Sequence, residues 1–361
     1  MPALSQTVFV TKTSPDTVIS DYLQLLSNFP KPKNEPVILK LNLSWTKFYP
    51  AVSTPPWAFE ATLKWLLDSG VSPKNIIPVE NRTVVTDVVA GAKSHGWDQI
   101  AKKYTIKIHY LTEEKYTFYK PKAKLLVLDQ IFPDGILLPE VIQGKPLISL
   151  CTLKSHVFTS VTGAVKNYFG MLNTNRHYCH RHIHKAIIDL LQIQKELHPT
   201  QLGIMDGSVL GYGPGPRAMQ WLESNLLLAS NDEIALDATA ARIIGFNPVD
   251  IEFLKLGEKL GLGNYSKVVI KGSQKLPNFQ VGFKKDTFAS RGQKFIYHHL
   301  PQWVENLLLR SFIAPWSYSA SNLYHDVYWY KVVGIRRKQK YLSTDWGRLF
   351  QSYLTNGSNN S

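Results

Sequence analysis

Residues 36–43 read Pro-Val-Ile-Leu-Lys-Leu-Asn-Leu. Apolar residues fill both alternating sets of positions, which describes a strand buried on both faces. Such strands belong to parallel sheets covered by helices on each side. Lys40 and Asn42 stand two residues apart at the end of the run and share one face. In an open parallel sheet, ligands bind beyond the carboxyl ends of the strands. A buried Lys is costly without a partner, so the pair is a candidate for holding a small anionic ligand. The alternative is a snorkelling edge Lys and an Asn that caps the next loop.

The chain around this run repeats a strand–helix alternation. After Pro55-Pro56, apolar residues at 59, 63, 66 and 67 predict a helix over Trp57–Leu67, closed by Gly70. A strand at Asn75–Val79, a helix at Val84–His95 and a strand at Thr105–Leu111 follow. Further strands are expected at Leu125–Leu128, Pro146–Leu150, Leu202–Met205, Asn225–Ala229 and Lys267–Ile270. Helices are expected at Thr162–Phe169, His184–Leu197, Asp232–Gly245 and Asp250–Leu260. The Gly211–Pro216 run, GYGPGP, is a loop of turn formers without the spacing of a phosphate or dinucleotide loop. This pattern predicts an α/β fold, a mostly parallel Rossmann-like sheet with flanking helices. We divide it into a lead-in at 1–35, an α/β domain at 36–272 with two lobes meeting near 145–150, and an extension at 273–361.

The extension differs in composition. From Ser273 to Ser361 there are 12 Lys/Arg against 4 Asp/Glu, more than half of the chain's formal excess of +14, and 17 of 89 residues are aromatic. An amphipathic helix is expected at Trp303–Phe312, in an α-rich, basic and aromatic segment. It could dock on the main domain or on a second copy in a homodimer, or bind nucleic acid or a membrane surface. The tail from Thr355 is polar and expected to be disordered. Two cysteines, Cys151 and Cys179, exclude a disulfide framework and an intrinsic four-thiolate iron–sulfur cluster. With no secretory leader and no membrane-length apolar run, the expected compartment is the cytoplasm.

Other polar residues gather at predicted strand ends. Lys154, Ser155 and His156 follow the Pro146–Leu150 strand, and a Lys beside a His favours a neutral imidazole. Lys166 and Asn167 open the next helix, where Gly163 would allow close approach of an anion. His177-Tyr-Cys-His-Arg-His-Ile-His184 holds four His and one Cys. In a helix His180 and His184 would have the spacing of a divalent-metal pair, whereas Arg176, Arg181 and Lys185 favour a cationic lid instead. Asp206 ends a strand as a catalytic carboxylate or a turn residue. Asp189 could orient a His, Asp232 is an N-cap, and Asp237 lies inside an Ala-rich helix.

These segments together resemble the family called domain of unknown function 362. Ile38–Leu43 resembles its opening Lys-x-Asn strand, and Leu153-Lys-Ser-His156 its Lys-Thr-His element. Val165-Lys-Asn-Tyr-Phe-Gly170 and His184-Lys-Ala-Ile-Ile-Asp-Leu190 resemble two further elements. Asp206-Gly207, Leu236–Ala241 and Gly245-Phe246 match later ones. The resemblance spans about Pro36 to Gly272. Some members carry a ferredoxin-like cluster module whose cysteines this chain lacks. The expectation is an enzyme for a small anionic substrate. Lys154, His156, His184 and Asp206 would be catalytic, and Lys40, Asn42, Lys166 and Asn167 would bind substrate. The alternatives are a redox or cofactor-handling accessory protein and a nucleic-acid or membrane-surface binder.

Overall fold

The computed structural model describes residues 6–83, 85–272, 275–282, 286–312 and 314–355. The central sheet has nine strands. In chain order they are β1 (Thr7–Lys12), β2 (Val37–Lys40), β3 (Ile76–Glu80), β4 (His109–Tyr110), β7 (Leu147–His156), β8 (Ser160–Thr162), β9 (Gln201–Tyr212), β10 (Gln220–Ser230) and β11 (Val269–Gly272). A separate hairpin holds β5 (Tyr116–Tyr119) and β6 (Ile136–Pro139). The order across the sheet is β11-β1-β10-β9-β7-β2-β3-β4, with β8 folded back on β7. Only β10 and β8 run antiparallel to their neighbours.

The chain leaves β2 toward β3 and β4, then returns on β2's other flank as β7. That reversal makes a switch point between β2 and β7, where an open α/β sheet has its crevice. Helices cover both faces. Pro56–Asp68 and Val18–Leu26 pack over Leu39, Leu41 and Ile148 on one side, and Ile183–Leu197 and Glu233–Ile244 over Leu147, Cys151 and Leu153 on the other. This two-sided cover explains why all four residues of β2 and all ten of β7 are buried.

The sequence reading needs correction at several places. Residues 7–26 are part of the domain rather than a lead-in, since β1 lies between β10 and β11 and the helix Val18–Leu26 packs on the sheet. The strand read at Thr105–Leu111 shrinks to His109–Tyr110. Residues 125–127 form a loop whose backbone is claimed elsewhere: the Asp189 carboxylate accepts from the N–H groups of Leu126, Val127 and Leu128 at 2.7–2.9 Å. Asp189 therefore orders a loop and does not orient a histidine. Strand β7 runs six residues past Leu150, so Lys154 and His156 sit in the strand itself. Asp206 lies mid-strand in β9.

The extension is helical: Phe288–His299, Gln302–Arg310, Pro315–Asn322, a π-helical stretch Leu323–Gly334, Ile335–Leu342 and Asp345–Thr355. It packs on the α/β domain. Trp346 is buried against Trp57, its indole donates to Asn225 at 2.8 Å, and Phe350 stacks on Phe48 at 3.6 Å. Trp329 packs on Trp45, and Trp45 donates to Asp326 at 2.5 Å. The polar tail beyond Thr355 lies outside the described residues. Among the described residues no helix is long and apolar enough to cross a membrane.

Candidate functional site

A cavity of about 830 Å³ lies over the carboxyl ends of β2, β3 and β7. Its floor includes Lys40, Asn42, Glu80, His156, Lys166 and Asn167. The extension roofs it with Tyr297, Trp316, Tyr318, Tyr324 and Tyr328. Four of the binding residues named from sequence, Lys40, Asn42, Lys166 and Asn167, thus meet in one place.

A hydrogen-bond net fixes this floor. Lys40 Nζ donates to Glu80 Oε1 at 2.8 Å and to the Leu41 carbonyl at 2.6 Å. Asn167 joins the strands: its Oδ1 accepts from Asn42 at 3.2 Å, while its amide donates to the Lys40 carbonyl at 3.3 Å and to Ser149 at 2.9 Å. Lys154 lies beneath the floor and does not line the cavity. Its ammonium donates to Asn42 Oδ1, the Val52 carbonyl and Thr152 Oγ1 at 2.6–2.7 Å, so all three protons are used within the protein and one of them holds Asn42. Burial pushes this amine down to about 7 and pushes Lys40 down as well, although Glu80 pulls Lys40 back up.

The N–H groups of Ala164 and Val165 donate to the buried Asp237 carboxylate at 2.7 and 3.2 Å. The acceptor at this turn is the protein's own carboxyl group, and Gly163 leaves room for it. Lys166 then projects over the Phe169 ring at 5.1 Å and lines the cavity. Gly170 is needed because a Cβ there would stand 2.9 Å from Lys40 Cε.

The histidines divide into two roles. His156 Nδ1 accepts from the Phe158 N–H at 3.1 Å. Burial, with Lys166 and His180 nearby, holds the ring neutral, so its proton is assigned to Nε2 and it presents a donor. His180 has the opposite tautomer: Nδ1 bonds the His177 carbonyl at 2.8 Å, which leaves Nε2 as the lone-pair nitrogen. Burial pushes His180 down to about 4. The ring stacks on Tyr297, and the residue lines the cavity.

Positive charge exceeds negative in the lining. Among the described residues Glu80 is the only acidic one in it, against Lys40, Lys166, Arg176 and Arg217. Lys166 is pushed down to about 8 by burial and by Arg176, with no carboxylate contributing. Arg217 is lowered to about 10 by burial. Arg176 was named from sequence as part of a cationic lid, whereas Glu80 was not named at all. Glu80 ends β3 at the level of Lys40, and that position was its only signal.

Other named residues lie elsewhere. His184 stacks on Phe253 at the start of the helix Ile183–Leu197 and does not line the cavity. Asp206 faces the opposite side of the sheet, where it accepts from Tyr22, Trp57 and Ser208 at 2.6–3.1 Å. Those bonds make it a tie between the sheet and the helices above it. No group of three or more His, Cys, Asp or Glu able to hold a metal occurs among the described residues, so His180 and His184 gain no third ligand there. Of the GYGPGP run read as a loop, Gly211 and Tyr212 end β9, and Pro214, Gly215 and Pro216 contribute to the cavity wall.

Fold and site together define a doubly wound α/β domain with a roofed, cation-lined cavity at its switch point. The family model described as Domain of unknown function (DUF362) matches residues 37–242, and the chain belongs to that family. A thylakoid-associated protein of Synechocystis sp. is 32% identical over 128 residues, which are 34% of this chain and 40% of that protein. The match thus spans less than half of that relative's length. No solved structure matches.

Proposed function

We propose that the cavity binds a small anionic group and acts on the molecule bearing it. The observation that supports this best is the unbalanced positive charge over the switch point, with Lys166 facing the cavity unpaired by any carboxylate among the described residues. In this reading Lys166 and Arg217 attract the anion. The His156 N–H donates to an oxygen of the bound molecule, and His180 Nε2 offers a lone pair that accepts a hydrogen bond from it. Lys40, Asn42 and Asn167 form a fixed floor that Lys154 supports. An amine pushed down to about 8 reacts readily with acylating reagents. Brief acetic anhydride treatment at pH 8, followed by peptide mass spectrometry, should therefore label Lys166 early, and an anion in the cavity should protect it. Labelling of Lys166 that no anion slows would refute the reading.

A second reading places the extension against a membrane surface. Trp303 and Phe312 are 69% and 90% exposed, and the Synechocystis relative is described as thylakoid-associated. Flotation of the chain with anionic vesicles, lost in a Trp303→Ser/Phe312→Ser variant, tests this.

A further inference from the structure

The cavity is much larger than an anion requires. One water takes about 30 Å³ of liquid, and a phosphate or carboxylate head only a few times that. A volume of about 830 Å³ belongs with pockets that enclose whole drug-sized ligands. Lys40, Glu80 and Lys166 stand on the floor, while the extension adds the polar side chains of Thr287, Ser290, Gln293, Ser317, Ser321 and His325 among its rings. The remaining wall includes Phe158, Phe169, Ile296, Tyr297, Leu309 and Tyr324, which offer ring faces and apolar edges. A hydrated inorganic anion would leave that surface in contact with disordered water.

The mouth carries the second observation. Phe288, Trp316, Leu323 and Tyr328 line the cavity, yet they are 77%, 47%, 63% and 57% exposed. Among the described residues, eleven of the seventeen exposed large hydrophobics fall between Phe288 and Ile335. Four of them stand together at the cavity, and exposed apolar residues gathered at a cavity mark a binding surface rather than ordinary scatter. An entrance rimmed by rings is suited to an apolar chain and ill suited to a bare anion.

We infer that the substrate is an anionic amphiphile whose charged head seats on the Lys166 floor and whose apolar tail lies along the aromatic roof toward the Phe288–Trp316–Tyr328 mouth. This rests on the anion-binding reading above and adds the tail. Two sources could supply such a molecule, free monomer or a lipid surface, and the chemistry recognised is the same.

The test is calorimetric titration of the full chain with dodecyl phosphate below its micelle concentration. Inorganic phosphate serves as the head alone and 1-dodecanol as the tail alone. Dodecyl phosphate should bind about 100-fold or more tightly than phosphate, because several methylenes become buried. Lys166→Gln should weaken it at least about tenfold, the loss of one charge-assisted bond. Trp316→Ser/Tyr328→Ser should weaken dodecyl phosphate and leave phosphate unchanged. Both side chains are half exposed, and circular dichroism checks that the variant keeps its fold. Equal affinity for phosphate and dodecyl phosphate, with no effect of the mouth variant, overturns the amphiphile and leaves the anion site standing. Dodecanol binding as tightly as dodecyl phosphate, or indifference to Lys166→Gln, overturns both readings. Transfer of labelled probe from vesicles distinguishes the sources. A rate that rises with vesicle concentration assigns a lipid surface, and a rate fixed by monomer release assigns the free amphiphile.

Discussion

A Cβ added at Gly163 would stand 1.8 Å from Asp237 Oδ1, so glycine there and the buried carboxylate are a single device. The carboxylate takes the first two N–H groups of the short helix that carries Lys166 and Asn167. Gly163→Ala must push Asp237 away and free both donors. It should cost about 2–4 kcal/mol, the range for unsatisfied buried polar groups, measured by urea unfolding.

The same carboxyl has a pH signature. Burial pushes Asp237 up to about 7 from 3.8, with the acceptor bonds pulling the other way. Between those values the folded chain holds a proton that the unfolded chain has lost. The contribution is therefore full below pH 3.8 and fades as pH rises through 7. Compared with Asp237→Asn, the wild type should lose stability from pH 4 to 7, with a slope approaching about 1.4 kcal/mol per unit. Parallel stability–pH curves for the two proteins would contradict this.

Lys154→Met should be destabilising without altering the cavity lining directly. It leaves Asn42 Oδ1, the Val52 carbonyl and Thr152 Oγ1 without their buried donor. A cost of about 3 kcal/mol or more is expected in chemical unfolding. The folded amine titrates at about 7 and the unfolded one at 10.5, so only the unfolded chain binds this proton between them. Wild-type stability should rise relative to Lys154→Met across that window.

Glu80→Gln keeps the shape of the floor and removes the charge opposite Lys40, an ion pair of 2.8 Å with both side chains buried. Leaving one buried charge uncompensated costs about 3–5 kcal/mol. Thermal unfolding near neutral pH should show it. If Glu80→Gln melts with the wild type, the pair does not hold the floor.

How much of this could be read from sequence follows from the range over which each signal acts. The doubly wound sheet was legible because strand and helix periodicity is local. Lys40 and Asn42 could be placed at the cavity because they end an apolar run, and Lys166 and Asn167 because they lie in the helix that follows Gly163. Asp189 and Asp206 resisted reading because their partners are backbone N–H groups and rings 61 to 184 residues away. β1 carries a signal in its alternating Val8 and Val10, both buried, but its partners β10 and β11 come from the far end of the family domain, beyond the reach of a local pattern. The roof was least legible. Its composition marked residues 273–361 as different, but only tertiary packing puts Tyr297 over His180 and Tyr318 beside His177 at 2.9 Å.

That packing has its own test. Trp346 and Phe350 belong to the same core as Leu39 and Trp57, so the extension is not a detachable tail. A chain ending at Gly272 should be insoluble or molten, read by near-ultraviolet circular dichroism and limited proteolysis. A stable, cooperatively folding 1–272 fragment would show that the roof is dispensable to the fold.

The central claim is that the floor selects negative charge. The most direct measurement is the thermal shift of the full chain at low salt with pairs of ligands that differ only in charge, each acid beside its neutral amide. The anion of each productive pair should raise the melting temperature saturably while its amide does not, and Lys166→Glu should abolish the difference. Equal shifts from acid and amide, or an unchanged response in Lys166→Glu, would contradict the account.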